Sequence, residues 1–190
     1  MKYSSLAMII VMGTVSTTLA LDARTETLMD NTNSKNTTTA QYYTAESNPQ
    51  EYCLAQNIYY ESRTDNLAGM AAVADVVINR VYDTRYPNTI CEVVKQGPIS
   101  KWWKEEKGKE VPIKHRCQFS WYCDGKPDDN PSGDKWRQAQ EIAYKMIHFD
   151  YLRGISDGST HYHATYVDPS WNKSMQLIGR IGLHIFYVSR

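Results

Sequence analysis

The run LAGMAAVADVVINRVYD, residues 67–83, decides the fold. It is apolar on nearly every side, interrupted only by Asp75 and then by Asn79 and Arg80, and a helix that is apolar all round is a buried helix. The β-branched run Val76, Val77 and Ile78 admits a strand, but the uninterrupted length favours a helix. Such a helix is the central strut of a domain. Gly69, Ala71, Ala72 and Ala74 are small enough to let neighbouring helices come close.

Immediately upstream, Thr64, Asp65 and Asn66 break the chain and recap it, because short polar side chains accept hydrogen bonds from free helix N–H groups. Before the break, a helix over about 50–62 carries Leu54, Ala55, Ile58 and Tyr59 at i, i+1, i+4 and i+5. Glu61 falls beside that stripe, in the last turn. There a carboxylate meets partial desolvation and the negative end of the helix dipole, and both favour its protonated form. A raised pKa is what a general acid needs to donate a proton near neutral pH. The plainer alternative is that Glu61 pairs with Arg63, Arg80 or a backbone group and only holds the helix end.

Downstream, residues 83–130 mix Pro, Gly, Asp and charged side chains around short apolar pieces, and read as loops with one helical turn near 91–96. Trp102 and Trp103, amid Lys and Glu, read as a surface loop. A further helix over about 134–149 has Trp136, Ala139, Ile142, Ala143 and Met146 as its buried stripe. In THYHATYV, residues 160–167, period two places His161, His163 and Thr165 on one face and Tyr162, Ala164 and Tyr166 on the other. GLHIFYV, residues 182–188, alternates similarly and is placed antiparallel to it, the link passing through Pro169 and Trp171. The fold class is therefore α+β: one helix-rich domain with a small antiparallel sheet.

The 190 residues suffice for one such domain and a short tail. Lys+Arg and Asp+Glu both count 21, so no basic excess points to nucleic acid, and a monomer is expected. Residues 1–20 carry one Lys, an apolar core over 6–12 and small residues at Thr18 and Ala20, the layout of a secretory signal peptide; an uncleaved anchor is the alternative. Residues 21–48 are rich in Thr and Asn and poor in large aliphatics, which describes a flexible linker. The domain then occupies 49–190, exported to the periplasm, the cell envelope or the medium. Four cysteines agree with an oxidising compartment. Of three possible pairings, the spacings favour Cys53 with Cys91 and Cys117 with Cys123. Zinc held with His115, His161, His163 or His184 is the competing idea, but no C-x-x-C pair is present, and neither metal nor cofactor is expected.

The segments YYESR, AGMAAVADVVINRV, YPNTICEVV, CQFSWYCDG, HYHATYVDPSW and GLHIFY resemble, in order and spacing, the cell-wall hydrolase family typified by spore cortex-lytic enzymes of the SleB type. The resemblance spans about 52–187. The family's E-A-R-G-E falls on ESRTD, which places its catalytic acid/base on Glu61, its Arg on Arg63, and Asp65 where the family shows a second Glu. Asp65 keeps the charge and shortens the reach. The resemblance implies a lysozyme-like domain acting on peptidoglycan glycan strands at the β-1,4 bond between N-acetylmuramic acid and N-acetylglucosamine.

Similarity to lytic transglycosylases implies a 1,6-anhydromuramic product formed through Glu61 alone. Hydrolysis as a muramidase or glucosaminidase is the alternative, and it ordinarily asks for a second carboxylate. Asp65, Asp75 and Glu92 are the candidates, although Asp65 reads first as a helix cap and Asp75 as a structural group. Gln118, Phe119 and Ser120 match the family's Q-F-S, a sugar-groove segment. Trp121 and Tyr122 stack on sugar rings or pack the loop. Tyr162 and His163 match H-Y-H and hold glycan, orient Glu61 or serve the fold. Two other classes stay open: a zinc-dependent wall amidase or peptidase using His161 and His163, and a non-catalytic wall-binding module.

Overall fold

A computed structural model of the chain describes residues 44–128 and 131–189. The signal peptide read over 1–20 and the linker up to residue 43 lie outside the described residues. Five helices, α1 (Pro49–Ser62), α2 (Leu67–Tyr82), α3 (Ile90–Val94), α4 (Lys101–Lys107) and α5 (Gly133–Phe149), precede strands β1 (His161–Ala164), β2 (Gln176–Ile181) and β3 (His184–Val188). Short 3-10 turns span Ser120–Cys123 and Ser170–Ser174. Among the described residues no helix is long and apolar enough to cross a membrane.

The reason α2 is apolar all round is that it is packed on two sides. Met70, Ala71, Ala74 and Val77 join Leu54 and Ile58 of α1 and Trp136, Ala139 and Met146 of α5 in the main core, while Ala72 and Val76 pack against Phe186 of β3. Its N-terminus is capped by Asn66, whose side chain accepts from the Gly69 N–H at 2.9 Å. Disulfides join Cys53 to Cys91, tying α1 to α3, and Cys117 to Cys123, closing the turn that carries Trp121.

The polar interruptions of α2 form a seam to the chain ahead of β1. Asp75, fully buried, accepts from the Gly154 N–H (3.1 Å), the Ser156 N–H (3.1 Å) and the Ser156 hydroxyl (2.6 Å), and pairs with Arg153. One turn on, the Asn79 amide donates to the Ser159 carbonyl at 3.0 Å, and Arg80 Nε donates to the Thr160 carbonyl at 2.7 Å. This seam fixes where β1 starts.

The sheet departs from the sequence expectation in one respect. β1 and β3 pair antiparallel as read, with His163 opposite Ile185, but β3 is also paired with β2, giving the order β1-β3-β2. The segment read as a mere link holds this third strand. It lies at the sheet edge, is largely exposed, and shifts register between Leu177 and Gly179, so it shows no clean alternation. The stretch read as a surface loop around Trp102 and Trp103 is likewise the short helix α4. Both tryptophans are exposed as expected, and because α4 buries no residue it carries no stripe to betray it.

If the seam holds the domain together, Asp75→Ala strands Arg153 and the Ser156 donors and costs about 3–5 kcal/mol in denaturant unfolding. Glu92→Ala, at the exposed Thr89–Glu92 hydrogen bond, serves as the comparison and costs about 1 kcal/mol or less. Equal losses in the two variants would rule out the seam as the central constraint.

Candidate active site

The end of α1, the last turn of α2, the 118–121 stretch, β1 and the start of β3 enclose a cleft of about 430 Å³. Glu61, Gln118, Phe119, Ser120, Trp121, Tyr162 and His163 all line it, so the structure brings these sequence candidates together. Glu61 is half-buried at the last turn of α1, where Ser62 turns its hydroxyl back onto the Ile58 carbonyl (2.8 Å) and ends the helix. Among the described residues no ion pair joins Glu61 to Arg63 or Arg80. Arg63 instead lies over the Tyr59 ring, 5.2 Å from its centroid.

Burial raises the Glu61 pKa from 4.5 to about 7, and the Tyr162 hydroxyl and the Arg80 charge pull in the opposite direction. The Tyr162 hydroxyl faces both the Glu61 carboxyl and the Asn57 side chain, yet makes no hydrogen bond of good geometry with either. Asn57 is itself fixed, because its oxygen accepts from the Trp121 indole N–H at 3.1 Å. Trp121 in turn stacks on Tyr60 with centroids 4.7 Å apart. A flat aromatic wall thus stands beside the carboxylate.

The opposite wall comes from the sheet. His163 donates from Nδ1 to the Ala164 carbonyl (2.9 Å), so its Nε2 accepts from the Tyr187 hydroxyl (3.0 Å). Trp171 packs its ring 5.7 Å from both His161 and His163. Burial, followed by the Arg80 and Arg85 charges, lowers the His161 pKa to about 4. Burial also lowers His184 against the opposing pull of Asp65.

Asp65 sits outside the cleft lining. Its buried carboxylate accepts from the Asn66 N–H (2.8 Å), the Leu183 N–H (2.9 Å) and His184 Nδ1 (3.3 Å), bolting the α1–α2 turn to the β2–β3 hairpin. A Cβ at Gly69 or Gly182 would overlap this carboxylate, so both positions need glycine. The cap read on Asp65 is made by Asn66. Asp75 is committed to its seam, Glu92 to Thr89, and Tyr122 stands edge-on behind Trp121, away from the cleft lining.

Sequence reasoning did not assign Tyr60, Arg80, Tyr166, Trp171 or His184 to the cleft, though all line it. Arg80 left a signal, as one of the few polar interruptions, with Asp75 and Asn79, of a helix otherwise apolar. Tyr166 and Trp171 lay inside the HYHATYVDPSW segment. The zinc reading needs a third ligand beside His161 and His163, and among the described residues no group of three His, Cys, Asp or Glu converges to hold a metal.

Comparison with known proteins gives the geometry a family. Residues 64–187 match the family model for Cell Wall Hydrolase, and the chain belongs to that family. The matched stretch begins three residues after Glu61, so it covers the cleft lining except Tyr60 and the carboxylate itself. No curated protein matches. Among solved structures, the chain is similar to the catalytic domain of the germination-specific lytic transglycosylase SleB from Bacillus anthracis, at 20% identity over 77% of this chain and 98% of that one, with a TM-score of 0.48. It is also similar to the catalytic domain of the Bacillus cereus SleB protein, at 21% identity over 77% and 93%, with a TM-score of 0.44.

The raised pKa of Glu61 has a stability signature. Between pH 4.5 and about 7 the folded state binds a proton that the unfolded state has released, so this group makes stability fall as pH rises through that window. Glu61→Gln removes the term. The variant should gain on the order of 3 kcal/mol relative to wild type across the window and hold that gain at higher pH. Unfolding curves at a series of pH values check this, and a pH-independent difference would contradict it.

Proposed function

We propose that this member of the cell wall hydrolase family cleaves the β-1,4 bond between N-acetylmuramic acid and N-acetylglucosamine in peptidoglycan as a lytic transglycosylase, with Glu61 as acid and then base. One observation carries the reading. Glu61 is the sole carboxylate among the described residues lining the cleft, and it is held near the pH at which it can both give and take a proton. Ordinary hydrolysis uses two carboxylates about 5–9.5 Å apart. Asp65, the positional counterpart of the family's second Glu, is occupied under the hairpin.

The chemistry balances with that one group. Glu61 Oε–H gives its proton to the glycosidic oxygen as the C1–O bond breaks, and the bonding pair leaves with that oxygen. The muramic 6-hydroxyl oxygen then bonds to the electron-poor C1, and its proton passes to the Glu61 carboxylate. The product is a 1,6-anhydro ring, no water is consumed, and Glu61 is restored. The Tyr60–Trp121 pair and the exposed Tyr166 ring, all lining the cleft with Glu61, offer faces for sugar rings. Two disulfides suit a protein that works outside the cytoplasm, where this substrate lies.

Digestion of purified peptidoglycan, with mass spectrometry of the products, tests the reading. Anhydromuramic ends are expected, and Glu61→Gln should reduce their formation by about 10²–10⁴-fold. The wild-type rate should also fall as pH rises above about 7, where the starting acid is lost. Reducing sugar ends would replace transglycosylation with hydrolysis, and freed stem peptides or no product would overturn the glycosidase reading.

A further inference from the structure

Three buried hydrogen-bond donors lack partners, two of them on residues that line the cleft with Glu61 and the third one turn before Glu61 on α1. They are Asn57 Nδ2, Arg80 Nη1 and the Tyr162 hydroxyl. Buried polar groups are nearly always paired, so three such groups at this end of the cleft call for a cause. They are not loosely placed. Asn57 is fully buried, stands one turn before Glu61 on α1, and has its oxygen engaged by Trp121. Tyr162 is locked between Phe119, His184 and Phe186.

Arg80 is the most firmly held. Only 5% of it is exposed, its Nε is bonded to the Thr160 carbonyl, and its guanidinium lies 5.2 Å from the Tyr86 centroid and 5.3 Å from that of Phe119. It is the one Lys or Arg among the described residues lining the cleft. Burial lowers its pKa, but an arginine remains charged in proteins.

We propose that Asn57, Arg80 and Tyr162 form a donor cradle for the carboxylate form of Glu61, with Arg80 as the positioning residue that supplies its counter-charge. This rests on the acid-then-base reading of Glu61. While Glu61 is protonated, it offers these donors only the weaker acceptor of a neutral carboxyl. Once the proton has gone to the glycosidic oxygen, the new negative charge is a stronger acceptor and is attracted by the Arg80 charge, so the cradle favours the state reached after proton transfer over the state before it.

The other groups facing Glu61 do not supply this charge. His161 and His184 on the sheet have lowered pKa values and are neutral near pH 7. His163 has both ring nitrogens bonded, to Ala164 and Tyr187. Tyr60, on α1, has its pKa raised and stays neutral, and Arg63 is turned away over Tyr59.

The test reads Glu61 directly, by carboxyl-carbon NMR titration with the signal assigned from its absence in Glu61→Gln. Arg80→Gln removes the charge and keeps an amide to donate to Thr160. It should raise the Glu61 midpoint by about one pH unit or more, and move the alkaline limb of the peptidoglycan-cleavage profile the same way. Arg80→Lys, which keeps the charge and loses the fork, should leave the midpoint near the wild-type value. Tyr162→Phe keeps the ring, so it provides a folded variant in any event, and it too should raise the midpoint.

If Arg80 only anchors β1 through Thr160, Arg80→Gln lowers thermal stability and leaves the midpoint in place. A midpoint that moves in neither Arg80→Gln nor Tyr162→Phe overturns the cradle, and so does one that moves equally in Arg80→Gln and Arg80→Lys. Because the titration needs no substrate, failure to cleave peptidoglycan would strike the functional reading and leave this result separate.

Discussion

The structure depends on a carboxylate placed inside its most apolar helix. An isolated charge at Asp75 would be costly to bury, and that cost is offset only because Arg153, two backbone N–H groups and a hydroxyl converge on it. Those partners all belong to the chain just before β1. The same face of α2 continues through Asn79 and Arg80, which bind Ser159 and Thr160. β1 therefore enters the sheet at a place dictated by α2, and Tyr162 and His163 arrive on the wall of the cleft that holds Glu61. The polar seam that fixes the fold is thus also what assembles the site.

What was legible in the sequence follows from burial. α1, α2 and α5 each present apolar side chains to a shared core, so periodicity marked them, down to Trp136, Ala139, Ile142, Ala143 and Met146 on α5. α4 and β2 present little to any core, and their residues obey no period that a pattern search detects. The site divides similarly. Glu61 stood out because a carboxylate interrupts a stripe, and Gln118 to Trp121 because of family-like spelling. Arg80 was visible as a breach in α2 and as a possible partner of Glu61, and its place in the cleft needed Thr160, Tyr86 and Phe119 to be brought around it from other parts of the chain.

Glu61 and Asp65 show how one turn of chain separates two acids by environment. Asp65 receives two backbone N–H groups and a histidine, and it is hemmed in so closely by Gly69 and Gly182 that neither position has room for a Cβ. That enclosure suits the short side chain of an aspartate. Glu61 is left with burial, a tyrosine hydroxyl and the Arg80 charge acting on it. One acid is consumed by structure and the other is left available for chemistry, as environment rather than residue type decides.

Under the proposed mechanism a single carboxylate acts as acid and then as base, and that needs a pKa set by opposing effects. Burial alone can drive a glutamate to about 8–9, where it holds its proton too firmly to be an effective donor. Full solvation would leave it near 4.5, ionised before the reaction starts. The cleft puts Glu61 between these limits, burial raising its pKa while Tyr162 and Arg80 restrain the rise. The neutral histidines add no competing charge, so the balance is set mainly by how deeply the end of α1 is covered and how rigidly α2 holds one arginine. Both quantities trace back to α2, the helix whose apolar run and polar interruptions fix the core on one side and the cleft on the other.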